Sequence, residues 1–208
     1  NKMKVLRRGD LVSQNGHPIL GDLETPKIIR KKISATHLQS SIRIGARLFA
    51  RSHNDWNDFY MLNMVLGGYF GARLSQNLRE KNGLTYGAYS SVETYIDDGY
   101  WYIHTDVDKQ KVEKAIQEIK FEIQQLIDVP IGEKELKMVK NYTKGTFLMA
   151  IDGVFAQSAV IKDIYLAGLD VSDYNQIIID IEKVGSNRLQ SLAKKYWDSD
   201  RLITVIVD

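Results

Sequence analysis

The chain has 208 residues, of which 44% are hydrophobic and 26% are charged, a balance typical of a globular protein with a substantial core. Its net charge of +2 is too small for a typical nucleic-acid-binding domain, and no apolar run approaches the roughly 18 residues of a membrane span. The absence of cysteine excludes disulfides and thiolate-bound zinc, and it leaves both the periplasm and the cytoplasm open as compartments.

Residues 1–32 differ in composition from the rest of the chain. They contain Pro18 and Pro26, two of the three prolines, and they end in the basic run KIIRKK. No helical or strand periodicity is sustained along them, and basic runs of this kind are most often solvated surface. We therefore predict an N-terminal strap or interdomain linker over residues 1–32 and a single main domain over residues 33–208.

The first elements of the main domain are a strand and two helices. SIRIGARLF (41–49) alternates apolar and polar residues, which predicts a half-buried strand. Residues 55–68 predict a helix that Asp55 can cap and that Gly67–Gly68 end, and residues 71–81 predict a second helix. GGYFG, at the junction of the two helices, lacks the Lys-Ser/Thr of a phosphate-binding loop, so helix termination and close packing explain it better.

A hairpin follows the second helix. Its strands are predicted at 86–95 and 99–107, and IDDG between them is a turn sequence. Alternation along the second strand places Trp101, Ile103 and Val107 on one face and Tyr100, Tyr102, His104 and Asp106 on the other.

The remainder of the chain is predicted to be mainly helical. The apolar patterns and breaks predict helices at 109–128, 132–151, 153–167, 173–184 and 187–197, the last two capped by Ser172 and Ser186, and a buried strand at 202–207. This order does not alternate strand and helix regularly. It predicts an α+β fold with a mainly antiparallel sheet and helices packed on one face.

Motifs of metal and nucleophile chemistry are absent from the sequence. Neither H-E-x-x-H, H-x-x-E-H nor G-x-S-x-G occurs. His104 and Asp106 share a strand face and could contribute to a metal site, although a lone strand histidine is more often a polar surface residue.

Arg79 and Tyr86 flank the corner between the second helix and the hairpin, in the stretch LREKNGLTYGAY. Neither is needed to form the turn. An arginine at a helix end complements the helix dipole and a tyrosine suits a strand, so both residues also have an ordinary structural explanation.

The surrounding 27 residues, MVLGGYFGARLSQNLREKNGLTYGAYS (64–90), resemble a signature of the pitrilysin/insulinase family of zinc peptidases, which also includes mitochondrial processing peptidase-like proteins. The similar positions are Gly67–Gly68, Arg73–Leu74, Leu78–Arg79–Glu80, Gly83–Leu84 and Tyr86. The resemblance is to the metal-free, C-terminal homologous domain of that family. With the order of the predicted elements, it extends over about residues 33–208.

The resemblance implies one half of a two-part enzyme. In this family two homologous α+β halves enclose a chamber, and the other half, a fused domain or a separate subunit, carries zinc on H-x-x-E-H. The metal-free half supplies an arginine and a tyrosine seven residues apart, which Arg79 and Tyr86 match. The implied function is the substrate-binding, transition-state-stabilising half of a zinc metalloendopeptidase that cleaves peptides or unfolded segments, with this chain inactive alone.

Two other functions remain open at this point. The chain can be a catalytically inactive scaffold of the same family, or a peptide-binding subunit that uses the face of Tyr100, Tyr102 and His104. A nucleic-acid role would rest on KIIRKK alone, and we do not expect one.

Overall fold

The structure is a computed structural model that describes residues 28–33, 38–198 and 201–208. Within these residues the strands are β1 (Ile28–Lys31), β2 (Gln39–Leu48), β3 (Ala88–Thr94), β4 (Gly99–Asp108) and β5 (Ile203–Val207). The α-helices are α1 (Trp56–Leu66), α2 (Val112–Asp128), α3 (Glu133–Ala150), α4 (Val154–Leu166), α5 (Val171–Lys183) and α6 (Ser186–Tyr196). A π-helix spans Ser75–Lys81, and a short 3₁₀ turn at Lys109–Lys111 leads into α2.

The strands form one sheet in the order β1-β5-β2-β4-β3. Only β1 and β5 pair in parallel; the other neighbours are antiparallel. Ile42, Ile44, Trp101 and Ile103 are buried on the helical face of the sheet, because alternate side chains of a strand point to opposite faces. The predicted α+β fold, with a mainly antiparallel sheet and helices on one face, is confirmed.

The end of the predicted strap contributes a strand to this sheet. Strand β1 lies at the edge beside β5, and the backbone amide of Ile33 donates to the carbonyl of Asp208 at 2.8 Å. The Arg30 guanidinium (2.6 Å) and the Ser40 hydroxyl (2.6 Å) donate to the Asp208 carboxylate and lower its pKa to about 2. Residues 1–27 lie outside the described residues, so the division of the chain at residue 32 stays a prediction.

Helix caps differ from the sequence prediction. Asp55 occupies the N-cap position of α1 but makes no capping hydrogen bond with its side chain. Its carboxylate instead accepts hydrogen bonds from Arg188 (2.7 Å), Lys195 (2.8 Å) and the Tyr196 hydroxyl (2.5 Å), all on α6. A long-range ion network has replaced a local cap.

The two predicted serine caps were also wrong. Asp170 caps α5, through a reciprocal pair of hydrogen bonds with the first turn, and Ser172 lies inside the helix. Ser186 is the first residue of α6, and its hydroxyl donates to the carbonyl of Ile131 at 2.6 Å.

The glycine pair after α1 ends the helix and permits close packing, as predicted. The backbone amides of Gly67 and Gly68 both donate to the carbonyl of Asn63 at 3.0 Å. The amide of Ser90 on β3 donates to the carbonyl of Gly67 at 2.9 Å, and a Cβ on Gly67 would lie only 2.7 Å from the Ser90 nitrogen. A side chain at Gly67 would therefore push α1 away from β3.

We expect Gly67→Ala to lower the free energy of unfolding by about 1–3 kcal/mol, since an extra methyl group in a well-packed site forces backbone shifts. Gly145→Ala is the matched control, because Gly145 lies within α3 with open space around its Cβ position. There alanine should be neutral or stabilising by up to about 1 kcal/mol. Urea denaturation of both variants measures the difference, and equal effects would contradict the packing argument.

Candidate functional site

Arg79 lies in the last turn of the π-helix, where the predicted second helix widens. The amide of Asn82 donates to the carbonyl of Asn77 at 3.1 Å, five residues back, as in a π-helix. Gly83 then adopts a positive φ of 56°, which a residue without a Cβ adopts most readily, and its amide donates to the carbonyl of Arg79 at 3.1 Å. The chain reverses within these residues, so Tyr86 returns beside the end of the helix.

Threonine side chains tie the segment around Tyr86 to β4. The Thr85 hydroxyl donates to the carbonyl of Asp106 at 2.7 Å, and the buried Thr105 hydroxyl donates to the carbonyl of Gly87 at 2.9 Å. The backbone is thus held on both sides of Tyr86. Such support is needed by a side chain that must be aimed at a substrate.

Neighbouring side chains orient the Arg79 guanidinium, but they do not use its hydrogen-bond donors. Its guanidinium carbon lies 4.5 Å from the centroid of the Phe70 ring, and its Nε lies 3.6 Å from a carboxylate oxygen of Glu80. The contact with Glu80 is an ion pair, but its distance is too long for a hydrogen bond. Among the described residues Arg79 has no hydrogen-bond acceptor, and 37% of its side chain is exposed.

Tyr86 is 89% exposed, and its hydroxyl finds no hydrogen-bond partner in the described part of the chain. Tyr86 and Arg79 line the same cavity, which has a volume of about 430 Å³. The structure therefore brings the two candidate residues together, and it leaves donors of both free to meet a ligand.

The other charged groups of this cavity already have partners. Asp106 accepts a hydrogen bond from the Ser41 hydroxyl at 2.5 Å. Lys111 lies 3.3 Å from the carboxylate of Asp108 and donates to the carbonyl of Gly83 at 3.2 Å. Arg79 is thus the cation of this cavity best placed to receive an incoming carbonyl or carboxylate.

The described residues contain no group of three or more His, Cys, Asp or Glu side chains that could hold a metal ion. The ring of His104 lies tilted beside those of Tyr89 and Tyr102, with centroids at 5.4 and 5.6 Å. Burial together with the charge of Arg43 lowers the pKa of His104. His104 and Asp106 therefore do not form a zinc site with other described residues.

Among the described residues, no helix is long and apolar enough to cross a membrane.

Comparisons with known proteins agree with this architecture. The family model described as "Peptidase M16 inactive domain" matches residues 8–143. A Bacillus subtilis protein named "Uncharacterized zinc protease YmxG" is 27% identical over 186 residues, which are 89% of this chain and 44% of that protein. The chain thus spans under half the length of this relative.

A second relative by sequence and a solved structure are also similar to this chain. A Helicobacter pylori protein named "Non-peptidase homolog YmxG" is 22% identical over 149 residues, 71% of this chain and 34% of that protein. The crystal structure of a peptidase M16 inactive domain from Pseudomonas fluorescens superposes with a TM-score of 0.79 at 20% identity, covering 88% of this chain and 43% of that one.

The family model covers well over half of the chain, and the fold agrees with that of a solved M16 inactive domain. The resemblance to the metal-free domain of pitrilysin/insulinase-type zinc peptidases is confirmed, and the chain belongs to the family of peptidase M16 inactive domains.

Proposed function

We propose that this chain is the substrate-side half of a zinc metallopeptidase, and that a zinc-bearing homologous half closes a chamber over it. The observation that carries the proposal is that Arg79 and Tyr86 line one cavity while their donors are not used within the described residues. The proposed substrates are peptides or unfolded segments that can enter the chamber.

The chemistry of the two side chains suits this role. In zinc peptidases the metal activates water and polarises the scissile carbonyl. The carbonyl oxygen gains negative charge in the tetrahedral state, and the Tyr86 hydroxyl can donate a hydrogen bond to it. The Arg79 guanidinium offers planar donors to the same oxygen or to a neighbouring substrate carbonyl. Phe70 beneath the guanidinium limits its orientations before the substrate arrives.

A scaffold function is the second candidate, and the Helicobacter pylori relative named as a non-peptidase homolog favours it. A scaffold would retain the fold and the interface to its partner without using Arg79 and Tyr86. Substitution of these residues therefore distinguishes the two functions.

The test combines the chain with its zinc-bearing half, whether that half is fused to it or is a separate subunit, and follows cleavage of quenched fluorescent peptides. The chain alone should contain no stoichiometric zinc and should cleave nothing. In the assembled protein Arg79→Ala should lower turnover by about tenfold or more, because a positioned charged donor is lost. Zinc content should not change.

Lys81→Ala is the matched control, because Lys81 carries the same charge on the same helix but does not line the cavity. Its turnover should equal that of the unmodified protein. Zinc-dependent cleavage by the chain alone would refute the proposed division of labour, and no cleavage by the assembled protein would favour the scaffold.

A further inference from the structure

A second cavity, of about 1230 Å³, lies on the helical side of the molecule. It is open to solvent on one side and is bounded by the tip of the β3–β4 hairpin and by α1, α3, α4 and α5. Aromatic and aliphatic side chains form much of its wall, namely Tyr60, Phe147, Val160, Ile164 and Tyr174. A large apolar cavity with a few polar groups is the usual form of a small-molecule site.

Two residues that line this cavity carry hydrogen-bond donors without an acceptor among the described residues. The guanidinium of Arg51 lies 3.5 Å from the centroid of the Trp56 ring. It makes no hydrogen bond or ion pair with another described residue, although the charge of Asp163 acts on it at longer range. The indole Nε1 of Trp56 is buried and also has no acceptor there, and Trp56 as a whole is 5% exposed. Burial lowers the pKa of Arg51, in keeping with a guanidinium removed from water.

A half-buried guanidinium without an acceptor is costly, so a ligand that brings an acceptor to Arg51 gains binding free energy. Carboxylates suit a guanidinium especially well, since both are planar and form charge-assisted hydrogen bonds. The cavity therefore matches a ligand with an anionic head at Arg51 and an apolar body along Tyr60, Phe147 and Ile164.

Three exposed carboxylates around the same cavity limit the charge of that ligand. Glu93, Asp97 and Asp163 line it as well, and they would repel a ligand that carries several negative charges. A fourth acid, Asp98, is held by Arg47 at 3.0 Å. A single negative charge is thus favoured over a phosphate or a polyanion.

We propose that this Arg51 cavity binds an amphipathic monocarboxylate. Helix α4 provides Val160 and Ile164 to the wall, yet Ile164 is its only buried residue, so a bound apolar chain would add packing to α4. The ligand should therefore stabilise the chain as well as bind to it.

Decanoate is the probe, used below its micelle concentration with the 208-residue chain, and methyl decanoate is the uncharged comparison. We expect decanoate to raise the melting temperature and to change tryptophan emission, with methyl decanoate binding about tenfold more weakly because it lacks the charge-assisted bond. Inorganic phosphate should cause neither change. Equal binding of the acid and the ester, or a comparable response to phosphate, would overturn the proposal.

Arg51→Met keeps an apolar side chain over Trp56 and should lower decanoate affinity to that of the ester. Arg43→Met is the matched control, since Arg43 is exposed on β2 and does not line the cavity. Circular dichroism checks that both variants are folded. Unchanged decanoate affinity in Arg51→Met would overturn the assignment, as would loss of decanoate binding in the protein assembled with the zinc-bearing half, because that half would then be the occupant.

Discussion

Under the proposed function, Tyr86→Phe is expected to lower peptide turnover by the protein assembled with its zinc-bearing half by about 10²–10³-fold, the usual effect of removing one donor to an oxyanion. The phenylalanine ring keeps the shape of the side chain and loses only the hydroxyl. Since Tyr86 is 89% exposed and its hydroxyl has no partner among the described residues, folding stability should not change. Steady-state and single-turnover cleavage of the same fluorescent peptides measures the effect.

Tyr89, the next tyrosine in the chain, provides a matched control for Tyr86. Tyr89→Phe also removes one hydroxyl from a partly exposed ring, but Tyr89 does not line the cavity of Arg79 and Tyr86. We expect near-normal turnover from it, and normal zinc content in both variants. Loss of activity in both, or in neither, would remove Tyr86 from the proposed chemistry.

Asp55→Asn is expected to lower the free energy of unfolding by about 2–4 kcal/mol, because a buried carboxylate that holds several donors is replaced by a neutral amide. Asp55 is 8% exposed and joins α1 to three side chains of α6. The amide presents an NH₂ group to the same donors. The side chains of Arg188 and Lys195 reach solvent, which keeps the loss below that of a fully buried ion pair.

The pH dependence of this network follows from the direction of the pKa shift. Burial alone would raise the pKa of Asp55, but hydrogen bonds from Lys195, Tyr196 and Arg188 outweigh it and lower the pKa well below its usual range. The stabilisation is complete above about pH 5, where an unfolded aspartate is also ionised, and it is lost progressively as the pH falls through the unfolded pKa and then through the lower folded-state pKa.

Urea denaturation between pH 7 and the acid limit of folding measures both the loss of stability in Asp55→Asn and its pH dependence. The difference between the parent chain and Asp55→Asn should be constant near neutrality and shrink in acid. Asp58→Asn is the control, since among the described residues the Asp58 carboxylate accepts a hydrogen bond only from Arg188, at 2.7 Å. Its effect should be clearly smaller, and equal losses at the two positions would contradict the network.

Regular elements were predictable because their residues repeat with the period of the element. The alternation in β2 and β4 and the apolar stripe of α2 identified those elements within a few residues of their observed ends. Strand β1 was missed because Ile28–Lys31 is exposed at the sheet edge and shows no alternation of buried and exposed residues. The position of Asp55 at the start of α1 was predicted, but the role of its carboxylate was not. Capping depends on neighbouring residues, whereas the partners of this carboxylate on α6 lie more than 130 positions away.

The candidate site was predictable only in part. Arg79 and Tyr86 were identified by resemblance, and Gly83 between them is a recognisable turn residue. No sequence signal connects Thr105 to the segment that it supports, or Phe70 to the guanidinium above it, because those contacts depend on tertiary packing. The same holds for the Arg51 cavity, whose walls come from distant helices and a hairpin tip.

The π-helix at Ser75–Lys81 has a consequence for how this segment can change in evolution. Such a segment is equivalent to an α-helix that carries an inserted residue, and it is generally less stable than the α-helix it replaces. The widened turn accommodates the extra residue, so deleting one residue there, such as the exposed Gln76, would restore ordinary helical winding and leave Arg79 on the side of the helix that faces Tyr86. A second deletion, in the α-helix so formed, would turn Arg79 by about 100° around the axis and away from Tyr86. The pair should therefore tolerate the loss of one residue from this segment but not of two.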